Sequence, residues 1–475
     1  METMRMTLRS ALVSLGASLG VVFMGACGGG ASGSGGVGAP APAVLKVLPA
    51  GADIKVGGSL QVWAENAQGS PVPATFSVVE PQGGQVTATG RYQAPPVAGT
   101  YHLRATSSQV PGAVAEVPVR VSLYQAAVAA APPSQFSRFD HSATLLPDGS
   151  VLLAGGMESS LLERYLPASG TFVQAADLGA KRWAHQASPL PGGGILLSGG
   201  VGFSGATAVA LATAQVYDAG TGVRPVGSLT ASRLLHAAEA LEDGRVLLTG
   251  GLPATGSDTY ATATAEVFDP ATGRFAATGS MGSPRTGHTA TRLANGKLLI
   301  VGGRNSTCLF GCQELTWASA ELFDPTTGTF SPTGTMAQAR YGHTATPLPD
   351  GRILIAGGTT PDLPNTDVST SLEIYDPATG SFTQAGTMLR PRTHHTATLL
   401  TDGRVLLAGG RTVGEGSLAS ATLEVIDLAR GQATLLTSSL TTRYRHTATR
   451  LLSGEVLLAG GSEGGGGIKL AEVFR

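Results

Sequence analysis

The sequence predicts an all-β chain: a small β-sandwich followed by a closed ring of seven four-stranded sheets, a β-propeller. Three observations carry this. Glycine and proline are abundant, 67 and 28 residues, while Asp, Glu, Lys and Arg make up only 13%, so tight turns outnumber solvated helices. The pattern Arg-x-x-His recurs seven times between Arg138 and His446 with a fixed downstream geometry. Ahead of it, from Ala43 to Ser122, short runs alternate apolar and polar residues.

The repeats are taken first. Their arginines are Arg138, Arg182, Arg233, Arg285, Arg340, Arg392 and Arg443, spaced 44, 51, 52, 55, 52 and 51 residues apart. From each motif histidine to the second glycine of a Gly-Gly pair the distance is always 15 residues. A constant interval inside a variable period means a fixed hairpin joined to loops of adjustable length. Between histidine and Gly-Gly stand pairs such as Asp243-Gly244 and Asn295-Gly296, which supply the positive φ of tight turns. An apolar run such as Leu298–Val301 follows, a strand buried on both faces. The Gly-Gly that ends it marks a place where a Cβ would clash. Further on, Ala265–Phe275 and Ala320–Phe330 read as a third strand, a proline turn and a fourth strand. Four strands in roughly 50 residues make one propeller blade.

Paired glycines followed by a spaced aromatic resemble kelch repeats, and the resemblance runs through all seven units. It implies four-stranded blades around a central channel, over residues 123–475. Unit 1 departs from it with Leu166 in place of the third-strand Asp, and unit 2 with Gln215 in place of Glu. The seventh unit reaches only its third strand at Phe474-Arg475, so Tyr124 to Pro132 is expected to supply its fourth.

In the 43–122 region, Leu60, Val62 and Ala64 share a face, as do Phe76 and Val78, Tyr101, Leu103 and Ala105, and Val117, Val119 and Val121. Trp63 and Tyr92 are expected in its core. The stretch Gly83 to Pro95 followed by Gly99-Thr-Tyr101 is similar to bacterial immunoglobulin-like modules, which implies a β-sandwich used as a spacer.

At the N-terminus, Arg5 and Arg9 precede an uncharged apolar run from Ala11 to Ala26, too short to span a bilayer comfortably. Its end, Met24-Gly25-Ala26-Cys27, resembles the lipobox of bacterial lipoproteins, with Met where Leu is more usual. That resemblance implies a signal peptide over 1–26, a lipid on Cys27, and, with Gly28 next, an outer-membrane-anchored lipoprotein of the cell envelope. Residues 27–42, nearly all Gly, Ala, Ser and Pro, then form a tether of about 20 Å typical length. In an exported chain, Cys308 and Cys312 read as a local disulfide; a zinc pair is the alternative.

The chain's 475 residues, 42% of them hydrophobic, exclude wholesale disorder. Thirty-one basic against 32 acidic side chains leave no surplus to neutralise phosphates, so no nucleic-acid partner is expected.

Some seven-bladed kelch propellers are copper oxidases of the galactose oxidase kind, which need a Cys cross-linked to a Tyr, a second Tyr and two His ligands. Seven of the nine histidines here fall in the repeat, leaving His102 and His394, and seven identically placed imidazoles read as a structural position. No nucleophile elbow and no phosphate loop is found. The sequence therefore predicts no metal, no cofactor and no catalytic residue: not an enzyme, but an envelope binding or scaffold protein recognising a protein or glycan. An exported propeller enzyme, galactose-oxidase-like or carbohydrate-active, is the alternative.

The expected binding face is that of the loops between second and third strands, which hold 6, 14, 14, 17, 14, 13 and 10 residues. The Arg-x-x-His motif opens the innermost strand at the same face. Aromatics follow the arginine in four units, so the candidate contacts are Arg138 with Phe139, Arg182 with Trp183, Arg340 with Tyr341, and Arg443 with Tyr444. The competing reading makes each arginine a blade-to-blade strut on a third-strand glutamate such as Glu266 or Glu472.

Overall fold

The computed structural model describes residues 44–475 apart from 257–258, 307–314, 362–366, 413–418, 437–438 and 440. The expected signal peptide and tether, with Cys27, lie outside the described residues, as do Cys308 and Cys312. Every regular element among the described residues is a β-strand.

Three sheets fill the first part. Leu45–Leu48, Trp63–Asn66 and Pro71–Val72 form one, and Ser59–Gln61, Arg91–Gln93 and Gln85–Val86 another. The third joins Ala52–Lys55, Val114–Ser122, Gly99–Thr106 and Thr75–Val78. Alternation works as expected in the long strands: Leu103, Ala105, Val117, Val119 and Val121 meet Val62 and Tyr92 in one core. Trp63 does not. It is 44% exposed, and its indole N–H donates to Glu65 Oε1 at 3.0 Å. The reason is the period of two: Val62 and Ala64 take the inner face, so the residue between them must point out.

Seven four-stranded antiparallel sheets follow, the arrangement of a β-propeller. In six of them the strands come in chain order, as in Ser142–Leu145, Val151–Ala154, Leu161–Leu166 and Thr171–Asp177. Each first strand lies beside the first strands of two neighbours, and Thr447–Arg450 returns to Ser142–Leu145 to complete the ring. All four side chains are buried in each second strand, Val405–Ala408 for example, because neighbouring sheets press on both faces. The third-strand aromatic packs on the fourth-strand phenylalanine across the proline turn, as with Phe268 and Phe275 at 4.8 Å between ring centroids.

The Gly-Gly pair does what its sequence position suggests. Gly409 has φ +59°, and a Cβ on it would sit 2.5 Å from Arg443 O and 2.8 Å from His446 Cε1. The end of one unit's second strand therefore abuts the opening motif of the next.

The seventh sheet takes its fourth strand from the front of the chain: Val128–Ala131 pairs antiparallel with Ala471–Phe474. The first part and the ring belong to one compact unit, Val44–Arg475, in which Lys55 N donates to Ser453 O and Ser59 N to Leu452 O, both at 2.6 Å.

Candidate functional site

Each motif residue has a separate task. The arginine turns inward. Arg138 Nη1 donates to Gly155 O at 2.6 Å and Leu161 O at 2.7 Å, while Nε and Nη2 reach Glu163. Both side chains are fully buried. The same pairing joins Arg233 to Glu266, Arg285 to Glu321, Arg340 to Glu373, Arg392 to Glu424 and Arg443 to Glu472. In unit 2, Arg182 finds Gln215 Oε1 at 3.3 Å and Thr213 Oγ1 at 2.9 Å instead. Arg138, Arg182, Arg340 and Arg443 are thus buried inside the sheets, which corrects the expectation that they contact a ligand. The strut reading has the right partners, the third-strand glutamates, but the wrong place for the pair. The pair lies within one sheet, tying the start of its first strand to its third, and the other glutamate oxygen holds the incoming connection, as Gln135 N on Glu163 Oε1 at 2.7 Å.

The motif histidine links neighbours. His185 Nε2 lies 2.9 Å from Ser142 Oγ and His446 Nε2 3.0 Å from Thr396 Oγ1, each across a sheet-to-sheet boundary. Burial, helped by the nearby arginines, lowers His141, His185, His288 and His343 to about 3, so these imidazoles stay neutral.

The residue between aromatic position and histidine builds the site. Asp140, Ala184, Leu235, Gly287, Gly342, His394 and Arg445 all have φ between 51° and 65°. Each of their N–H groups donates to the carbonyl of its counterpart in the preceding unit: Ala184 to Asp140, Leu235 to Ala184, Gly287 to Leu235, Gly342 to Gly287, His394 to Gly342, Arg445 to His394 and Asp140 to Arg445. Seven backbone hydrogen bonds close into a circle at the channel mouth. The left-handed conformation aims successive peptides around the axis, and the side chains of this circle crown the mouth.

On one side of the crown stand Asp140, Arg445 and His394, with Arg445 Nη1 2.9 Å from Asp140 Oδ2. Tyr341 and Tyr444 join them there. The Arg304 guanidinium lies 4.2 Å from the Tyr341 ring centroid, and those of Arg411 and Arg445 lie 5.3 and 5.8 Å from Tyr444. Burial and the charges of Arg445, Arg304 and Arg411 lower His394 to about 3; burial raises Asp140, against the pull of Arg445. Across the ring, Trp183 packs with Val201, Leu234 and Leu252, and with Phe203 at 5.2 Å. Phe139 is half-buried in unit 1.

Of the aromatics singled out in the sequence, Tyr341 and Tyr444 thus share the polar side and Trp183 sits opposite. Arg304, Arg411, Asp140, His394 and Arg445 were missed. A signal existed: arginine follows Gly-Gly only in units 4 and 6, and the position before the motif histidine carries charge in units 1 and 7.

A further titrating group sits on the first strand of unit 3. Burial raises Glu239 to about 7 from the usual 4.5, partly offset by Arg292. The folded state holds this proton more tightly than the unfolded one, so stability falls as pH rises from 4.5 to about 7. Glu239→Gln should raise the melting temperature by several degrees above pH 7 and leave it unchanged below pH 4.5. An equal effect at both pH values would show that the carboxyl does not keep its proton.

No family model matches the sequence, and no curated protein matches it. Solved structures do. A novel fungal alcohol oxidase with catalytic diversity among the AA5 family, in complex with copper, aligns with 73% of this chain and 76% of its own at TM-score 0.59 and 16% identity. The structure of YjhT aligns with 65% of this chain and 99% of its own at TM-score 0.52 and 13% identity. At these identities the likeness is one of fold alone, a β-propeller. It corrects the expectation that the chain is not an enzyme: an oxidase stands on this fold, and neither nucleophile elbow nor phosphate loop bears on a catalyst of that kind.

The neighbour's copper does not fit the donors found here. Among the described residues no three His, Cys, Asp or Glu side chains are grouped to hold a metal ion. The seven motif imidazoles are buried against hydroxyls, and at the mouth His394 places Nδ1 3.2 Å from Thr393 Oγ1 with three guanidinium charges around it. A cation is disfavoured there.

Proposed function

We propose that the chain is an exported, seven-bladed kelch-type propeller that acts on a saccharide at its channel mouth, a carbohydrate-active enzyme without a copper centre. It is carried on the envelope by a lipid at Cys27, the 27–42 tether and an immunoglobulin-like spacer over 43–122. One observation carries the reading: Asp140, His394 and Arg445 converge in one hydrogen-bonded circle beside Tyr341 and Tyr444. Titratable groups with displaced pKa values gathered at one place, as Asp140 and His394 are, mark candidate proton-transfer sites. Burial raises the Asp140 carboxyl, which suits it to exchange a proton, while the His394 imidazole, held neutral, is a hydrogen-bonding group and the guanidinium groups hold developing negative charge. The varied loops on the same face suit an extended ligand.

The test uses protein extracted from membranes of cells making the full chain. A lipid label should appear on it and be lost in Cys27→Ala. Incubated with a panel of neutral and acidic polysaccharides, it should release new chain ends, and Asp140→Asn should slow this by about 100-fold or more. Stoichiometric copper with peroxide formation would overturn the reading, as would turnover indifferent to Asp140. Retention of a polysaccharide without any product would overturn its catalytic half.

A further inference from the structure

Unit 2 departs from the other six at one buried position. In those six a glutamate carboxylate stands 2.5–2.8 Å from the motif guanidinium. In unit 2 Gln215 takes that place, so every partner of Arg182 is neutral. Nη1 donates to Gly199 O at 2.5 Å and Thr213 O at 3.0 Å, and Nη2 to Thr213 Oγ1 at 2.9 Å and Gln215 Oε1 at 3.3 Å. Nε finds no acceptor; the same atom is left so in units 3, 4, 6 and 7, but there a carboxylate balances the charge. The nearby acids are engaged elsewhere: Glu158 acts on Lys181, and Asp177 accepts Gly179 N at 2.9 Å. Among the described residues none reaches Arg182, whose displacement has burial as its cause. A guanidinium only 5% exposed and without a counter-charge is costly to keep.

That arginine is also accessible. A cleft of about 370 Å³ opens beside it, lined by the polar Arg182, Thr213 and Gln215 and by the apolar Phe203, Leu211 and Val226. The hairpin Val201–Ser204 with Thr207–Ala210 supplies Phe203, which is 49% exposed. The corresponding cleft of unit 5 is lined by Gln338, Thr360 and Ser371, and by neither Arg340 nor Glu373, which are closed on each other at 2.7 Å. No residue of the crown lines the cleft of unit 2, so it is separate from the mouth.

We propose that this cleft binds a small monocarboxylic acid with an apolar body, its carboxylate beside Arg182 as the glutamate carboxylates stand beside the other motif arginines. A guanidinium takes a carboxylate with charge-assisted bonds stronger than those it makes to an amide or a hydroxyl. The Thr213 hydroxyl, which already accepts from Nη2, keeps its own hydrogen to donate. The body of the acid lies against Phe203, Leu211 and Val226. Apolar walls with a few placed polar groups are the usual build of a small-molecule site. An inorganic anion would satisfy the arginine and leave those walls wet; a neutral molecule would do the reverse.

The discriminating pair is benzoate and benzamide, one ring with and without a charge, titrated into the full chain by calorimetry at neutral pH. Benzoate should bind about tenfold more tightly or better, as expected for one charge-assisted contact. Gln215→Glu gives the arginine a carboxylate of the protein's own, as in six units, and should abolish benzoate binding while the melting temperature holds. Phe203→Ala, at a half-exposed ring, should weaken benzoate without loss of stability. Benzoate bound no more tightly than benzamide overturns the proposal, and so does benzoate binding that Gln215→Glu leaves unchanged. Chloride that matches benzoate, with Phe203→Ala of no effect, reduces the site to one for simple anions and overturns the ligand class. No binding of either probe overturns it outright.

Discussion

A chain beginning at residue 133 should aggregate, whereas one beginning at residue 123 should stay monomeric. The ten residues between them hold the ring shut. Val128–Ala131 runs in register with Ala471–Phe474, Gln125 N donates to Arg475 O at 3.0 Å, and Arg475 N donates to Ala127 O at 2.9 Å. Tyr124 stacks on Phe474 with ring centroids 5.7 Å apart, over a phenylalanine that is otherwise buried. Without this strand the last sheet ends on Ala471–Phe474, apolar and unpaired along one edge. Each buried backbone group left without a partner costs roughly 1–3 kcal/mol, and a bare apolar edge templates pairing between molecules. Both shortened chains lose the first three sheets and their contacts at Leu452 and Ser453, so those losses cancel in the comparison. Size-exclusion chromatography and thermal melting read the outcome. Two chains that behave alike would show that the ring is held by its other contacts.

That closure was legible before any coordinates, and the reason is arithmetic: repeats in register leave the last one a strand short. The hairpins were legible because Asp-Gly turns and Gly-Gly pairs are backbone requirements, and a backbone requirement restricts residue type directly. The crown was not. Its seven residues share a left-handed backbone while their side chains range from glycine to arginine, so only the glycines and Asp140 hint at the conformation. The motif arginine was half legible: the repeat pointed to its third-strand glutamate, but not that the two lie in one sheet, 25 residues apart in unit 1 and 36 in unit 4. Arg304 and Arg411 lie past the ends of their second strands; the backbone pairing with Thr286 and Thr393 is what brings them to the mouth. Position along the chain carries no sign of that.

Glu163→Ala should lower stability by about 3–5 kcal/mol, because it leaves Arg138 buried with its charge uncompensated. Burial already disfavours that charge, and Glu163 is what offsets it. The carboxylate also accepts Gln135 N, so the connection from the preceding strand loosens with it. Glu163→Gln should fall between the variant and the native chain, and unit 2 explains why. There Gln215 occurs naturally: its oxygen faces Arg182, and its amide nitrogen donates to Leu178 O at 3.1 Å. The incoming connection of unit 2 presents a carbonyl where that of unit 1 presents an N–H. An amide satisfies the first arrangement, but in the second one of its two ends must oppose a donor. Arg182 has only neutral acceptors here, Thr213 Oγ1 at 2.9 Å and Gln215 Oε1 at 3.3 Å, and is lowered to about 10 by burial, so unit 2 holds its arginine less firmly. The converse swap, Gln215→Glu, gains a charge partner and loses the bond to Leu178, so its net effect should be small. Urea midpoints of the three variants, compared with the native protein at neutral pH, check the order. A Glu163→Gln protein as stable as the native one would mean that charge compensation is not what the buried glutamates supply.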